Sequence, residues 1–121
     1  MLTTTVTPAS PRTVVHVAGE LDMDTAPQLL TCLHDQLERG RLRLVIDLGE
    51  LSFCDSRGIA TLLTVAKRCH AAGGSMRLRG ATGAVARVLG ITGVGELLAE
   101  QSYFGAAPPA PPGQASPGAV S

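Results

Sequence analysis

The sequence predicts one α/β domain with a mixed, mostly parallel sheet of about four to five strands and helices packed on it. Strand-like runs and amphipathic segments alternate along the chain in the order β-β-α-β-α-β-α. Strands that alternate with helices are joined by crossover connections, which favour parallel pairing. The first 104 of the 121 residues have the composition of a folded domain, and about 100 residues suffice for one core but not for two.

The first third of the chain predicts an edge hairpin and a helix. Residues 3–7 have strand composition, and a proline-containing turn separates them from the β-branched run 13–18, which ends at Gly19. Residues 24–27 predict a helix start, because proline is tolerated in a first turn. Apolar residues then recur at helical spacing until Gly40, which predicts the end of this helix.

The middle of the chain predicts a buried strand and the elements that follow it. Residues 42–48 are apolar on both faces at their centre, as in a strand covered from both sides. Next we expect a loop at residues 49–54 and a second amphipathic helix at 55–72. A strand with one solvated face at 76–79 and a third helix at 82–89 follow. Residues 96–104 are compatible with either a short strand or a helix.

Composition sets the domain boundary and excludes several classes of protein. Residues 105–121 contain no charged residue and five of the eight prolines, so we expect a disordered tail after a domain at 1–104. Ten acidic residues balance ten basic ones, and only Phe53, Tyr103 and Phe104 are aromatic. Such a chain has neither the basic surface nor the stacking groups of a nucleic-acid-binding protein. No apolar run is long enough to span a membrane.

Targeting and cofactor signals are missing from the sequence. The first residues lack the basic and apolar regions of a secretory signal, so we expect a cytoplasmic protein. The cysteines at positions 32, 54 and 69 form no C-x-x-C pair, and the three histidines have no partner at metal-ligand spacing. We therefore predict no metal and no cofactor.

Two acidic stretches follow neighbouring strands, at residues 19–22 and 54–58. Ligands and reactive groups of parallel sheets gather beyond such strand ends. Ser56 begins a predicted helix, where its hydroxyl can cap free backbone N–H groups. The same N–H groups and the helix dipole favour a phosphate on that hydroxyl. The residues alone favour the capping role, although the two roles are compatible.

These stretches resemble the STAS domain of bacterial anti-sigma factor antagonists. The resemblance covers about residues 3–104. Its specificity comes from the order of its motifs, namely G-E-L-D at 19–22, V-I-D-L at 45–48, F-C-D-S-R-G-I at 53–59, A-G-G at 72–74 and R-V-L-G-I-T-G at 87–93.

The resemblance implies a protein that is regulated by phosphorylation and is not an enzyme. In that family the serine of D-S-x-G is phosphorylated by the cognate anti-sigma factor, which is a serine kinase, and a phosphoserine phosphatase can reverse the modification. The unphosphorylated form binds the anti-sigma factor and frees a sigma factor. Ser56 matches the phosphorylated serine. The resemblance assigns partner contacts to two motifs, namely to Glu20, Leu21 and Asp22, and to Asp55, Ser56, Arg57 and Gly58.

Arg57 departs from the family pattern, because many members carry a small Ser or Thr there. A guanidinium beside a phosphoserine can pair with it and partly neutralise it. The departure leaves open which kinase acts and how strong the switch is. A solvated side chain in the first helical turn explains Arg57 equally simply.

Three other functions are compatible with parts of the sequence. A hydrolase with Ser56 as nucleophile lacks the G-x-S-x-G motif. A response-regulator receiver needs a lysine after a late strand, but the only lysine, Lys67, lies inside the second predicted helix. A STAS module that binds another kinase complex, a nucleotide or a lipid-like ligand remains the alternative.

Overall fold

The computed structural model describes residues 1–98. The predicted domain end at residue 104 and the predicted tail at 105–121 lie outside these residues. None of the helices within residues 1–98 is long and apolar enough to cross a membrane. The elements, in chain order, are β1 (Leu2–Thr7), β2 (Thr13–Leu21), α1 (Ala26–Glu38), β3 (Arg43–Cys54), α2 (Ser56–Ala71), β4 (Ser75–Arg79), α3 (Gly83–Thr92) and α4 (Val94–Leu97).

The four strands of the described chain form one mixed sheet in the order β1-β2-β3-β4. β1 and β2 pair antiparallel, as the predicted hairpin requires. β2, β3 and β4 run parallel, with α1 and α2 as the connections between them. The predicted fold class is therefore confirmed.

Two strands continue beyond their predicted ends. Gly19 was expected to end β2, but it has a φ of 105° at an irregularity in the pairing with β3, and the strand continues to Leu21. A side chain at Gly19 would also collide with the Met1 carbonyl group. Glycine here makes a bulge and not a stop. The predicted loop at 49–54 was likewise wrong, because these residues prolong β3 beside the bulged part of β2.

The third helix also continues past a predicted stop. Gly90 was expected to end it, but the helix includes Gly90 and reaches Thr92. The left-handed residue that ends the helix is Gly93, with a φ of 79°. Two glycines lie close together here, and only the one with positive φ acts as the C-terminal cap.

The helices and the sheet share one hydrophobic cluster on one face of the sheet. Leu29, Leu62 and Leu89 of the three longer helices and Ile46 of β3 are all at most 3% exposed within it. The predicted burial of both faces at the centre of β3 is confirmed, although Val45 points away from this cluster. Val45 is nevertheless buried, between its register partners on β2 and β4.

Candidate functional site

The two acidic stretches lie side by side at the carboxyl ends of β2 and β3. Leu21 and Cys54, the last residues of these strands, are register partners. The Asp55 N–H donates a hydrogen bond of 3.1 Å to the Leu21 carbonyl. The sheet therefore brings together the residues that follow each strand, as the sequence predicted.

Asp55, and not Ser56, caps helix α2. Its backbone is extended, with φ −103° and ψ −174°, and its carboxylate accepts a 3.0 Å hydrogen bond from the Gly58 N–H. Ser56 is already the first helical residue, so its side chain has left the position from which a cap can reach the N–H groups of the first turn. The predicted capping role of Ser56 was therefore wrong.

Ser56 is exposed, and its hydroxyl makes no hydrogen bond to the part of the chain that the structure describes. It lies at the positive end of a 16-residue helix, where negative charge is stabilised. Arg57, beside it, is also exposed, and within residues 1–98 its guanidinium forms no ion pair. The arrangement leaves a free hydroxyl and a free cation at the start of α2.

Gly58 allows α2 to approach the ends of both strands. A Cβ atom at this position would lie 2.7 Å from Leu21 Cγ and 3.0 Å from Cys54 Sγ. Leu21 is itself fully buried. The resemblance implies partner contacts for both Leu21 and Gly58, and in the structure both are buried. They pack beneath the exposed side chains of Glu20, Ser56 and Arg57.

Replacing Gly58 by alanine is expected to lower the free energy of unfolding by up to about 2 kcal/mol. The new methyl group overpacks the contact with Leu21, at a cost of about 1–3 kcal/mol. The better helix propensity of alanine offsets part of that cost, by about 1 kcal/mol. Urea unfolding followed by circular dichroism measures the difference.

Gly90 provides the matched control for Gly58. It also lies within a helix, but a Cβ atom there would meet no atom of the described chain within 4 Å. Gly90→Ala should therefore stabilise the protein by about 0.5–1 kcal/mol. Stabilisation by both substitutions would contradict the close approach of α2 to Leu21.

Asp22 organises the loop between β2 and α1. Its Oδ1 accepts hydrogen bonds from the N–H groups of Thr25 and Asp24, at 3.1 and 2.9 Å, and from the Thr25 hydroxyl at 3.2 Å. The Asp22 N–H in turn donates to Thr25 Oγ1 at 2.9 Å. These bonds, the one from the Thr25 N–H first, lower the pKa of the Asp22 carboxyl below its ordinary value. Asp22 is therefore a charged residue in an ordered turn.

Glu20 is the second-last residue of β2, just before this loop. Its side chain is about half exposed, and Oε1 lies 2.7 Å from the Met1 amino group. This contact raises the pKa of the amino group. The carboxylates of Glu20 and Asp22 thus remain at the surface while the intervening Leu21 is buried.

Two exposed apolar side chains flank these polar residues, and neither was predicted from the sequence as a site residue. Met23 is 63% exposed in the β2–α1 loop, and Phe53 is 46% exposed at the end of β3. The sequence held a signal for each of them. Met23 is an apolar residue between two aspartates, and Phe53 is one of only three aromatic residues in the chain. We call Glu20, Asp22, Met23, Phe53, Asp55, Ser56 and Arg57 the Ser56 surface, in which Asp22 and Asp55 are half-buried and the other five residues are exposed.

The other polar candidates offer no chemistry of this kind. Burial, with a smaller effect of the Asp55 charge, raises the pKa of the Cys54 thiol to about 11, so it is not a reactive thiolate at neutral pH. His16 Nδ1 lies 3.3 Å from Asp47 Oδ2, next to Arg79, on the sheet face opposite the helices. Residues 1–98 contain no group of three or more potential metal ligands.

Comparison with known proteins gives consistent matches. The family model described as "Mlab, STAS domain" matches residues 5–99. The anti-sigma-B factor antagonist of Bacillus subtilis is 32% identical over 84 residues, which are 69% of this chain and 76% of the relative.

Solved structures agree with this result. The anti-sigma factor antagonist from Mycobacterium paratuberculosis has a TM-score of 0.69 at 29% identity, covering 81% of this chain and 83% of its own. The Bacillus cell fate determinant SpoIIAA in its phosphorylated form has a TM-score of 0.62 at 21% identity, covering 77% of this chain and 86% of its own. The second likeness is one of fold.

Proposed function

This chain belongs to the STAS domain family, and from that membership we propose that it acts as an anti-sigma factor antagonist, controlled by phosphorylation of Ser56. Its relatives bear the names of regulatory binding proteins. In the proposed mechanism, the unphosphorylated chain binds a cognate anti-sigma factor in the cytoplasm and thereby frees a sigma factor. The same anti-sigma factor is the serine kinase that ends the interaction, and a phosphoserine phosphatase restores it.

The Ser56 surface has the composition of a protein-binding surface. Apolar side chains of Met23 and Phe53 lie among charged groups, so a partner can bury apolar area in the centre and pair charges at the rim. No side chain of this surface has to perform chemistry, because the phosphate comes from the kinase and its ATP. The chain is the substrate in that step and a binding protein in every other.

Phosphorylation would change the charge of this surface strongly. A phosphoserine carries about −1.5 to −2 charges at neutral pH. At Ser56 it would stand beside the Asp55 carboxylate and near the Asp22 loop, with Arg57 as the nearest cation along the chain. The helix dipole and Arg57 would stabilise the phosphate in the free protein. In a complex the same phosphate must be desolvated against a partner, which weakens binding.

The observation that carries this proposal is the free hydroxyl of Ser56. Asp55 occupies the capping position through its bond to the Gly58 N–H, so the Ser56 side chain has no structural role that phosphorylation would disrupt. A kinase can modify it without opening the helix. SpoIIAA, a protein of the same fold, has been solved in a phosphorylated form.

The test is phosphorylation by the cognate anti-sigma kinase with ATP. We expect mass spectrometry to find one phosphate on the intact chain and to map it to Ser56, and Ser56→Ala should abolish incorporation. Ser52→Ala is the matched control. Ser52 is an exposed serine of the neighbouring strand end, and its hydroxyl already donates to the Gly19 carbonyl at 3.0 Å. Equal phosphorylation of wild type and Ser56→Ala would refute the proposal.

A further inference from the structure

The two edges of the sheet differ in how open they are. β1 and β4 are its outer strands within residues 1–98. β4 has five residues, among them Arg77 and Arg79, and its Leu78 N–H donates a 2.6 Å hydrogen bond to the Leu98 carbonyl. Short length, positive charge and a covering segment all protect an edge strand against pairing with another chain. β4 is therefore a protected edge.

β1 has none of these protections in the described part of the chain. Its sequence, L-T-T-T-V-T, contains no charged residue, no proline and no glycine. Threonine and valine are residues that favour strands. β1 pairs with β2 over all six residues in one register without a bulge. Its outer side is thus a regular, uncharged edge of the kind that accepts another strand.

The backbone groups of β1 point outward at alternate residues. In an antiparallel pair, every second residue bonds to the neighbouring strand, and the residues between point their N–H and C=O groups away from it. The Glu20 N–H donates to the Met1 carbonyl at 3.0 Å, so the odd-numbered residues of β1 are the ones bonded to β2. Accordingly, the Leu2 carbonyl accepts its 2.9 Å bond from a side chain of α1. The outward groups of Thr4 and Val6 have no hydrogen-bond partner within residues 1–98.

We propose that a second copy of this chain pairs with this edge, the two β1 strands lying antiparallel about a twofold axis at Thr4. This register places Thr4 opposite Thr4 of the second copy and Leu2 opposite Val6, so that their outward backbone groups bond across the axis. The Leu2 carbonyl keeps its bond to α1, because a carbonyl oxygen has two lone pairs. On the other face of the sheet, Thr3 lies opposite Thr5, and threonine pairs of this kind stabilise a sheet.

The chemistry of β1 favours its own copy over a charged strand of another protein. No charge on β1 repels its equivalent across the axis, and a charged strand would find no opposite charge to pair with. Leu2 belongs to the hydrophobic cluster and Val6 packs against it, so their contact across the axis continues that cluster into the second copy. The same surface serves both copies, as in most homodimers, and neither copy keeps an open β1 edge.

The Ser56 surface stays accessible in this dimer. It lies at the carboxyl ends of β2 and β3, and antiparallel copies point these ends in opposite directions. One Ser56 surface therefore lies at each end of the joined sheet. The inference does not depend on the proposed function.

Sedimentation equilibrium of the full-length protein at a series of concentrations tests the proposal. We expect a reversible equilibrium between one copy and two. Monomers alone at every concentration up to about 1 mM would overturn the proposal.

Opposite charges at Thr4 test the position of the axis. Thr4→Lys and Thr4→Glu each place like charges opposite each other, and each should raise the dissociation constant of the dimer at least about tenfold. An equimolar mixture opposes lysine to glutamate and should restore association. Thr64→Lys is the matched control, because it adds a charge at an exposed position of α2 and should leave the constant unchanged. Wild-type association of either Thr4 variant would overturn the proposal, and so would a mixture that associates no better than its components.

Should the Thr4 variants fail to fold, amide hydrogen exchange in the wild-type protein decides. The N–H groups of Thr4 and Val6 should exchange several-fold more slowly as the protein concentration rises. The Thr5 N–H already bonds to β2 and should change less. Exchange at Thr4 and Val6 that does not depend on concentration overturns the proposal.

Discussion

Ser56→Asp is expected to weaken binding to the cognate anti-sigma factor at least tenfold, or by about 1.4 kcal/mol. The substitution places a permanent negative charge next to the Asp55 carboxylate, on a surface that also contains Met23 and Phe53. Two causes act in the same direction. The new carboxylate must lose water when the partner covers it, and the neighbouring carboxylates repel it.

Calorimetric titration of the anti-sigma factor measures this effect, with two variants as controls. Ser56→Ala removes the hydroxyl without adding charge and should bind like the wild type. Thr64→Asp adds the same charge to α2 at an exposed position two turns further along and should also bind like the wild type. Equal losses for Ser56→Asp and Thr64→Asp would attribute the effect to net charge and not to the Ser56 surface.

Phe53→Ala is expected to lower the affinity for the anti-sigma factor by about 2 kcal/mol, which is about thirtyfold. Phe53 is the large apolar side chain at the end of β3, next to the start of α2, and it is 46% exposed. Large side chains in the centre of an interface commonly supply most of the binding energy. Met23→Ala should act in the same direction, because Met23 lies on the adjacent loop.

Ile91→Ala is the matched control for Phe53→Ala. Ile91 is 78% exposed on α3, outside the Ser56 surface, and its truncation removes a comparable apolar area. It should leave the affinity unchanged. Urea unfolding checks that each variant is as stable as the wild type. A larger loss of affinity for Ile91→Ala than for Phe53→Ala would place the interface on α3 instead.

The order and type of the elements followed from the sequence, whereas several element ends did not. Periodicity identified α1, α2 and the parallel strands, because each has to bury an apolar face. Gly19 and Gly90 were both interpreted as stops. Gly19 forms a bulge with a positive φ, whereas Gly90 lies within a helix, where a Cβ atom would meet no atom of the described residues within 4 Å. Glycine alone does not distinguish these environments, since they depend on neighbours distant in sequence.

The location of the candidate site followed from the sequence, but the capping residue and the burial of individual side chains did not. The order of the strands placed residues 19–22 beside residues 54–58, as the structure has them. Asp55 is the cap because α2 begins at Ser56, whereas a Ser56 cap requires a helix that begins at residue 57. Burial of Leu21 and exposure of Phe53 depend on how α2 packs at Gly58. That packing cannot be derived from local patterns.

The central claim is that phosphorylation of Ser56 switches off binding to the anti-sigma factor. The most direct measurement is a calorimetric titration of that partner with the same preparation before and after complete phosphorylation by its kinase, without ATP in the cell. We predict a Kd at least about ten times higher for the phosphorylated chain. Treatment with a phosphoserine phosphatase should restore the original value. The same Kd for both forms would contradict the claim.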